Sequence, residues 1–550
     1  MTLRINDIKL PLDHGDGDLR NAVLVTLGIA EHDLRDLQVA RRAYDARKKS
    51  NIQLIYSVDV VVTTASVEQA LLTQFAGSKT VMPSPDTTYR FVGKADAAFP
   101  AAGEQRPLVI GFGPCGIFAA LVLAQMGLKP IVLERGQDVR TRTQDTWGLW
   151  RKNTLDTESN VQFGEGGAGT FSDGKLWSQI KDRFHYGRKV LTEFAKAGAP
   201  EEILFVSKPH IGTFKLVTMV EKMRAEIIAL GGEIRFGSRV DHLHIEEGQA
   251  TGATLASGES LASRHIVLAI GHSARDTFQM LFDAGVTIEA KPFSIGFRIE
   301  HPQSVIDSAR FGKSAGHPLL GAADYKLVHH CRNGRSVYSF CMCPGGTVVA
   351  ATSEVGCVVT NGMSQYSRNE RNANAAIVVG IDPDRDYPGH PLAGIQLQRR
   401  LEAQAFADAG GTYEAPAQLV GDFLNGRAST ALGSVTPSYK PGVRLGDLSQ
   451  ILPPFAVAAI REAIPEFNKQ IAGFAMPDAI LTAVETRTSS PLCIRRDDSC
   501  QSINTRGLYP GGEGAGYAGG ILSAAVAGIR LAEAVGMDLL GVARDGSTAQ

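Results

Sequence analysis

Short apolar runs separated by glycine-rich turns recur along the chain, and the clearest series lies between residues 108 and 136. An apolar run at 108–110 enters a turn with three glycines, an apolar segment continues to about 126, and a second apolar run occupies 130–133. This order predicts a strand, a buried helix and a second strand, the βαβ unit of a parallel sheet. The window 109–126 is apolar enough to imitate a membrane span, but its glycines and flanking strands favour a buried unit.

The first 98 residues carry a different pattern, which predicts a small α+β domain of ferredoxin-like type. Helical periodicity predicts helices at 19–28 and 66–75, whereas β-branched runs predict strands at 51–64 and 88–92. A segment rich in Ala, Gly and Pro at 96–106 predicts the linker to the next domain.

The middle of the chain predicts two further groups of elements. A helix at 216–230 precedes a strand, a three-strand meander and a returning apolar strand that ends at 271. Beyond 278, alternating strand-like and helical stretches predict an α+β domain that ends near 484. Its predicted strands are 336–340, 347–354 and 356–360, and its predicted helices are 392–408 and 454–463.

Composition excludes several classes of protein. The 550 residues hold 56 Lys and Arg against 57 Asp and Glu, a net charge of -1, which argues against a dedicated nucleic-acid binder and a charge-driven membrane-surface protein. The basic stretch at 40–50 is interpreted as a solvated face, with an RNA or protein contact as the alternative. Seven cysteines without zinc-type spacing predict neither a disulfide framework nor a metal site. With no apolar leader in the first ten residues, we expect a reduced cytoplasmic protein.

The turn after the first apolar run has the spacing of a dinucleotide-binding loop. Gly111 allows the tight turn, Gly113 lets the backbone approach a pyrophosphate, and Gly116 allows close packing of helix on strand. The free amides at the helix N-terminus then face the phosphates. Glu134 ends the second strand, where an acid can hold a ribose diol. Together these features predict a bound dinucleotide.

A C-terminal segment indicates which dinucleotide is bound. Residues 507–535 combine a short apolar stretch, a glycine cluster, Glu513 and a helix rich in small residues. With the N-terminal glycine motif, this segment resembles the FAD domain of glutathione-reductase-type flavoproteins. The resemblance implies that Glu513 contacts the ribityl and phosphate region and that the helix N-terminus faces the flavin N1 and C2 carbonyl, where its dipole would stabilise anionic reduced flavin. The turn from Ala269 to Gly271 corresponds to one beside the cofactor in that fold.

Six further motifs extend the resemblance over the whole chain. The glycine-rich loop 160–176 could surround the pyrophosphate and flank the isoalloxazine. The other five motifs are 208–216, 271–277, 339–346, 359–364 and 484–491. Together they resemble a bacterial family of predicted FAD-dependent dehydrogenases whose substrate is not established.

The resemblance implies an α/β protein with a Rossmann-like FAD-binding domain of the GR2 type, with its β-meander, over 107–277 and 485–540. It also implies an α+β substrate or cap domain over 278–484, beside the N-terminal domain of residues 1–98. The residues assigned to FAD binding are Gly111, Gly113, Pro114, Cys115, Gly116, Glu134, Arg135, Gly166, Gly167, Thr170, Ser172, Lys175, Val240, Ala269, Gly271, Gly512, Glu513, Gly514, Gly519, Gly520 and Ile521.

The electron donor is less well defined. A second glycine motif for NAD(P)H and a CxxxxC redox pair are both missing, so electrons come from the substrate or from a transiently docking NAD(P)H. Cys341 and Cys343 form a CxC pair whose disulfide would be strained, so two reduced cysteines are the expected state. Cys115 is expected to be a small residue that fits the glycine turn.

Candidates for catalysis are fewer. Arg487 is the first candidate for binding a carboxylated small-molecule substrate, because its motif directly precedes the C-terminal FAD segment. Arg298 is a second anion binder, and His210 and His272 are candidate acid–base groups. Further anion-binding candidates are His301, Arg495 and Arg496.

Three functions follow from the sequence. The first is an FAD-dependent oxidoreductase that moves a hydride between a small organic substrate and flavin N5. The second is an FAD-dependent RNA-modifying protein with the N-terminal domain as its RNA arm. The third is a non-catalytic FAD-binding redox sensor.

Overall fold

The computed structural model describes residues 2–543 as a mixed α/β fold. Its N-terminal part is a four-stranded sheet with two helices. The elements are β1 (Leu3–Pro11), α1 (Asp18–Leu27), β2 (Leu34–Asp45), β3 (Gln53–Val62), α2 (Ala65–Gln74) and β4 (Val81–Pro83). The sheet order is β2-β3-β1-β4 and every neighbouring pair is antiparallel. Alternate residues of β3 are buried against the two helices and carry the core of this part.

Both helices predicted in this part are confirmed, as is the central strand β3. The strand predicted at 88–92 is wrong, because the fourth strand is β4, which pairs with β1. Tyr89 and Phe91 instead pack edge to face, with ring centroids 5.0 Å apart, and Tyr89 also lies against Tyr186 of a neighbouring helix. Those apolar side chains therefore mark a packed linker.

The second part is built on a five-stranded parallel sheet with the order β22-β11-β5-β6-β7. Its strands are β5 (Leu108–Ile110), β6 (Ile131–Leu133), β7 (Glu233–Arg235), β11 (Ile266–Leu268) and β22 (Leu508–Pro510). A separate antiparallel meander consists of β8 (Val240–Glu246), β9 (Gln249–Leu255) and β10 (Ser260–Ala262). The helices are α3 (Pro114–Gln125), α4 (Val139–Lys152), α5 (Tyr186–Lys196), α6 (Thr213–Ala229), α7 (Arg275–Asp283) and α13 (Ile521–Leu540).

The helix α3 forms the centre of this part. Ten consecutive residues, 115–124, are buried, so the helix is apolar all round and is covered on every side. Small residues allow α13 to approach it, since a Cβ at Gly528 would lie 2.2 Å from the carbonyl oxygen of Cys115. The long apolar run of the sequence is therefore a core helix, and among the described residues no helix is long and apolar enough to cross a membrane.

The third part is an eight-stranded sheet, with the order β14-β15-β17-β13-β20-β18-β19 and β16 paired to β15. Its strands are β13 (Phe293–Pro302), β14 (Val328–His330), β15 (Ser336–Ala350), β16 (Thr360–Ser364), β17 (Asn372–Ile381), β18 (Ala415–Leu419), β19 (Val443–Leu445) and β20 (Ile480–Glu485). Its helices are α8 (Gln303–Phe311), α9 (Pro383–Asp386), α10 (Ala393–Asp408), α11 (Val420–Leu424) and α12 (Pro454–Gln470). A two-stranded ribbon, β12 (Ile288–Ala290) with β21 (Leu492–Ile494), lies near the junction with the parallel sheet.

The strands predicted in this part are partly confirmed. Residues 336–340 and the first half of 347–354 belong to one long strand, β15, whereas 356–360 reaches strand conformation only at Thr360. The helices predicted at 392–408 and 454–463 are confirmed as α10 and α12, and α12 continues to Gln470.

Candidate cofactor and active site

A cleft of about 680 Å³ lies between the parallel sheet and the eight-stranded sheet. Residues directly after β5, β6, β11 and β22 line one side, and residues of β15 line the other. The carboxyl ends of parallel strands are where open α/β sheets bind their ligands. The volume lies within the range of roughly 300–1,000 Å³ that is usual for ligand and cofactor pockets.

The glycine turn after β5 has the geometry that its spacing predicts. Gly111 has φ +96°, and a Cβ there would lie 2.4 Å from the carbonyl oxygen of Ala269. A Cβ at Gly113 would contact only Gly167, at 3.5 Å. The lack of a side chain at Gly113 therefore leaves room in the cleft for a ligand to approach the backbone. Helix α3 begins at Pro114 with no side-chain cap, which leaves its first amides free for an anion in the cleft.

Glu134 organises the loops around the glycine turn. One carboxylate oxygen accepts the amide of Phe112 at 2.8 Å, and the other accepts the amides of Gly136 and Gly164, both at 2.9 Å. A carboxylate offers about four acceptor positions, so roughly one of them is left for a ribose hydroxyl. The side chain is 5% exposed and lines the cleft. Glu134 therefore holds three loop amides in place, in addition to the ribose contact that the sequence predicts.

The C-terminal segment reaches the same cleft from the other side. Helix α13 follows Gly520, which has φ +152° and no side-chain cap, so this helix also presents free amides to the cleft. Glu513 lines the cleft between these elements, and burial raises its pKa to about 7. A carboxyl group that titrates near neutral pH inside a cleft is characteristic of functional sites.

A buried arginine that the sequence analysis missed shapes the glycine-rich loop 160–176. The guanidinium of Arg142 is fully buried and donates to the carbonyl oxygens of Asn160, Val161 and Glu165 at 2.7–2.8 Å. Burial lowers the pKa of Arg142 to about 10, so the group stays charged at neutral pH. No glycine pattern marks such a residue, because its role depends on carbonyls that only folding brings together.

Most of the residues assigned to FAD binding line this cleft. They are Gly111, Gly113, Pro114, Cys115, Glu134, Arg135, Gly167, Ser172, Lys175, Val240, Ala269, Gly271, Gly512, Glu513, Gly519, Gly520 and Ile521.

Four assigned residues do not line the cleft and support it from behind. A Cβ at Gly116 would lie 1.9 Å from the carbonyl oxygen of Gly111, and one at Gly514 would lie 2.1 Å from that of Gly271. A Cβ at Gly166 would lie 2.1 Å from the Thr170 hydroxyl, so these four positions pack behind the cleft, and the contact with FAD expected for them stays a prediction.

Arg487 lines the cleft, but its hydrogen-bonding groups are largely occupied. It donates to both carboxylate oxygens of Glu402, at 3.2 and 2.9 Å, and to the hydroxyls of Ser353 and Ser273. Arg275 binds the same carboxylate at 2.6 and 3.0 Å. Glu402 is fully buried, which by itself would raise its pKa, but the two arginines hold that pKa well below its usual range. Arg487 is therefore a buried ion-pair residue that fixes this wall, and the anion clamp expected from the sequence stays a prediction.

The two candidate histidines have different positions. His272 lines the cleft, with Nδ1 3.0 Å from the Ser273 hydroxyl, and burial together with Arg487 and Arg275 lowers its pKa to about 3. It is neutral at physiological pH and can act only as a hydrogen-bonding group. His210 does not line the cleft, because it stacks on Tyr366 and donates to that residue's carbonyl oxygen at 2.9 Å. The acid–base role expected for His210 stays a prediction.

Arg298 also stands behind the cleft wall. It is fully buried and pairs with Glu485 at 2.9 Å, while it donates to Asn374 and to the carbonyl oxygen of Cys341. Its partner Glu485 lines the cleft, and burial raises the pKa of that carboxyl despite the ion pair. In this structure Arg298 positions the wall of the cleft, and the anion-binding role expected for it stays a prediction.

The remaining anion-binding candidates lie elsewhere. His301 is buried and donates to the carbonyl oxygen of Phe474 at 2.7 Å. Arg496 stacks on Tyr517 and donates to the carbonyl oxygen of Pro510, and Arg495 lies 3.6 Å from Glu289 at the surface. None of these three side chains lines the cleft.

The side of the cleft formed by the eight-stranded sheet and the segments next to it comes almost entirely from residues that sequence reasoning did not select. They are Tyr325, Ser339, Phe340, Cys341, Met342, Asn361, Glu485 and Thr488. The motifs 339–346, 359–364 and 484–491 contain most of them and gave the one available signal. Which side chains of those motifs turn inward depends on strand pairing, so the sequence alone could not choose among them.

Two groups of metal-ligand side chains occur among the described residues. Glu354, Cys357 and Glu402 lie close enough to share an ion, but both carboxylates are already paired with arginines. His329, Cys331 and Glu462 also lie within 4.8 Å of one another, outside the cleft.

Two family models and a full-length relative match this chain. Residues 292–488 match the family model "FAD-dependent protein, C-terminal domain-like", and residues 2–61 match a domain of unknown function. An uncharacterized protein of Clostridium beijerinckii is 46% identical over 97% of this chain and 98% of its own length.

Solved structures resemble the chain only distantly. L-proline dehydrogenase from P. horikoshii shares 13% identity over 80% of this chain and 95% of its own, with a TM-score of 0.34. A flavoprotein/dehydrogenase from Cytophaga hutchinsonii shares 13% identity over 80% of each chain, with a TM-score of 0.35. The whole-length relative shows that this chain belongs to the family of the Clostridium beijerinckii protein, and the match of residues 292–488 to the domain model of FAD-dependent proteins supports FAD as its cofactor.

Proposed function

We propose that this protein is an FAD-dependent oxidoreductase that transfers a hydride between a small organic substrate and flavin N5. The observation that carries this proposal is that the dinucleotide-binding turns and the wall of the eight-stranded sheet face the same cleft. A protein that only binds FAD would need the dinucleotide-binding turns alone. The wall of the eight-stranded sheet brings a buried ionisable side chain, Glu485, to the site, as expected for an enzyme.

The residues present fit FAD. The uncapped first turns of α3 and α13 supply amide donors for the pyrophosphate and for the pyrimidine edge of the flavin, respectively. Glu134 has acceptor capacity for the ribose, and Gly113, Gly519 and Gly520 leave room for close approach of the backbone. FAD supplies the hydride chemistry when bound.

The architecture that the sequence resemblance implies also remains a proposal, and the topology supports it. The N-terminal order β1-α1-β2-β3-α2-β4 is that of the ferredoxin-like motif. The parallel sheet with its antiparallel meander fits the GR2 type, over 107–277 and 485–540. Residues 278–484 would then form the substrate domain, after an N-terminal domain of residues 1–98.

In the proposed reaction, this chain's own groups position and polarise. Neutral His272 and the Arg487–Ser273 hydrogen bond hold the wall beside the turn after β11. Glu513, with a pKa near 7, can hold or release a proton at neutral pH. Because Arg487 is committed to Glu402, an anionic substrate would be held by Lys326, which lines the cleft and has no hydrogen-bonding or ion-pair partner among the described residues.

The first test is the visible spectrum of the purified protein before and after heat release of its ligand. We expect a two-band flavin spectrum and FAD in the supernatant. Glu134→Ala and Gly113→Ala should lose most of the FAD, whereas Glu246→Ala, an exposed position of the same part outside the cleft, should keep it. Full retention of FAD by both cleft variants would overturn the assignment of the site.

A second measurement separates an enzyme from a non-catalytic FAD-binding protein. The bound flavin should bleach anaerobically with a reduced organic donor or NAD(P)H and recover with an acceptor. A flavin that is inert to every donor and to oxygen would instead favour the non-catalytic FAD-binding alternative, as a scaffold.

A further inference from the structure

The strand β15 is irregular at the point where it reaches the cleft. Its pairing with β17 shifts register between Phe340 and Cys343, and again between Cys343 and Gly346. Cys341 lies in the first bulge with φ +42°, a conformation that non-glycine residues seldom adopt. Bulges beside active sites re-aim side chains, and here the bulge brings Cys341 to the cleft while Cys343 is fully buried behind it.

Two cations hold this bulge in place. The guanidinium of Arg298 donates to the carbonyl oxygen of Cys341 at 3.0 Å, and the ammonium group of Lys175 donates to the carbonyl oxygen of Met342. The Cys343 thiol donates to the Cys341 carbonyl oxygen at 3.4 Å. Both cations come from elements other than β15, so the fold surrounds this cysteine pair with positive charge.

The two thiols have unequal acidity. A hydrogen bond from Cys343, with Lys175 and Arg298 close by, lowers the pKa of Cys341 well below its usual value, although burial opposes this. The same hydrogen bond, together with burial, raises the pKa of Cys343. One thiolate beside one thiol is the arrangement that thiol–disulfide chemistry requires.

The other cysteines lack this setting. Cys115 also lines the cleft, but burial raises its pKa to about 12, so it is an inert packing residue. Cys493 and Cys500 lie outside the residues that line the cleft. The expectation of two reduced cysteines at 341 and 343 came from the strain of a CxC disulfide, yet strained disulfides are the easily reduced ones that serve in redox chemistry.

We propose that Cys341 and Cys343 form a dithiol–disulfide pair that exchanges two electrons with the FAD of the same cleft. In the oxidising direction, the Cys341 thiolate and the Cys343 thiol form an S–S bond and release two electrons and one proton. Oxidised FAD accepts the two electrons and that proton, so charge and atoms balance. In the reverse direction, reduced flavin cleaves the disulfide. The inference rests on the proposed oxidoreductase function, to which it adds a second electron store.

The first experiment needs no variant. The FAD-loaded protein is oxidised with diamide, desalted, treated with N-ethylmaleimide in denaturant and digested with trypsin and Glu-C. The peptide of residues 336–354, which contains Cys341 and Cys343 but not Cys357, is then weighed. We expect it without maleimide and about two mass units lighter than the free dithiol, as a disulfide requires. After anaerobic reduction of the flavin before the maleimide step, the same peptide should carry two maleimide groups. Two maleimides on the diamide-treated sample would overturn the proposal.

The second experiment counts electrons by anaerobic dithionite titration of the oxidised holoprotein. Wild type should take up four electrons per FAD, whereas Cys341→Ser and Cys343→Ser should take up two, a halving of the stoichiometry. Cys343→Ser should also show a long-wavelength absorption band, because the remaining Cys341 thiolate faces oxidised flavin. Cys500→Ser, a thiol away from the cleft, should still take up four.

The outcomes separate this inference from the proposed function. Uptake of only two electrons by wild type, with reversible flavin reduction, would refute the cysteine pair and leave the oxidoreductase in place. A protein that binds no FAD would overturn both.

Discussion

The two buried carboxyl groups of Glu513 and Glu402 show how partners decide protonation at this site. Both are held away from water, which by itself raises a carboxyl pKa. Glu402 receives two guanidinium groups and has a lowered pKa, whereas the carboxyl group of Glu513 receives no hydrogen bond from the described residues and its pKa rises to about 7. Glu402 is therefore a permanent charge of the wall, and Glu513 is the group that titrates.

We expect Glu513→Gln to change the pH dependence of stability in FAD-free protein. The folded pKa of about 7 exceeds the ordinary value of 4.5, so between these pH values the folded state keeps a proton that the unfolded state has lost. The free energy of unfolding of wild type should therefore fall as pH rises through this window. The variant should lack that slope and be more stable at pH 8, by about 2 kcal/mol. Urea denaturation at several pH values measures this, and an unchanged slope in the variant would show that Glu513 is not the titrating group.

The ion pair of Arg298 with Glu485 makes a second prediction at this scale. Both side chains are nearly inaccessible, so Arg298→Met leaves a buried carboxylate without its cation. We expect a loss of about 3–5 kcal/mol, since uncompensated buried charges are costly. The double variant Arg298→Met/Glu485→Gln should recover a large part of this loss. Equal stability of the single and double variants in denaturant titrations would contradict a buried ion pair.

At the scale of the element, glycines set how closely α3 approaches its neighbours. Gly116 packs the first turn of α3 against the glycine turn, and Gly528 brings α13 against the same helix. The free amides of both helices are useful only because these contacts fix the helix N-termini at the cleft. The glycine pattern thus determines the position of the cofactor site as well as its shape.

We expect Gly116→Ala to reduce both stability and FAD content. The added Cβ would lie 1.9 Å from the carbonyl oxygen of Gly111, so α3 must move away from β5, at a cost of about 2–3 kcal/mol. Thermal unfolding and the flavin-to-protein absorbance ratio measure the two effects. Gly446→Ala is the matched control, because a Cβ there meets nothing within 4 Å, and its unfolding temperature and FAD content should match wild type. A fully loaded, stable Gly116→Ala protein would show that this packing is looser than described.

At the scale of the whole molecule, backbone hydrogen bonds as well as the linker join the N-terminal part to the second part, which contains the parallel sheet. The amide of Arg42 donates to the carbonyl oxygen of Phe205 at 2.7 Å, and the amide of Ser207 donates to the carbonyl oxygen of Arg42 at 2.9 Å. The Arg42 guanidinium lies 5.3 Å from the ring of Phe205. Part of the basic stretch at 40–50 therefore serves an internal contact.

This arrangement bears on the RNA-modifying alternative. Arg42 packs on Phe205, Arg47 pairs with Asp45, and the net charge of the chain is -1. We therefore expect protein purified at low salt to carry no RNA, with an absorbance ratio at 260 and 280 nm that FAD and protein alone explain. RNA that co-purifies at low salt and dissociates at high salt would support the alternative, because phosphate contacts weaken steeply with salt.

The sequence by itself determined the elements whose side chains see mainly their own neighbours in the chain. The βαβ unit with Gly111, Gly113 and Gly116, the all-apolar helix α3 and the C-terminal helix α13 are local patterns, and spacing reveals them. Tertiary structure alone decided which charged groups meet. Arg142 finds its carbonyls, Arg487 finds Glu402, and the bulge in β15 turns Cys341 to the cleft only after distant segments have packed together. The physical reason is that a side chain's protonation and reach depend on partners far away in the chain, which periodicity cannot show.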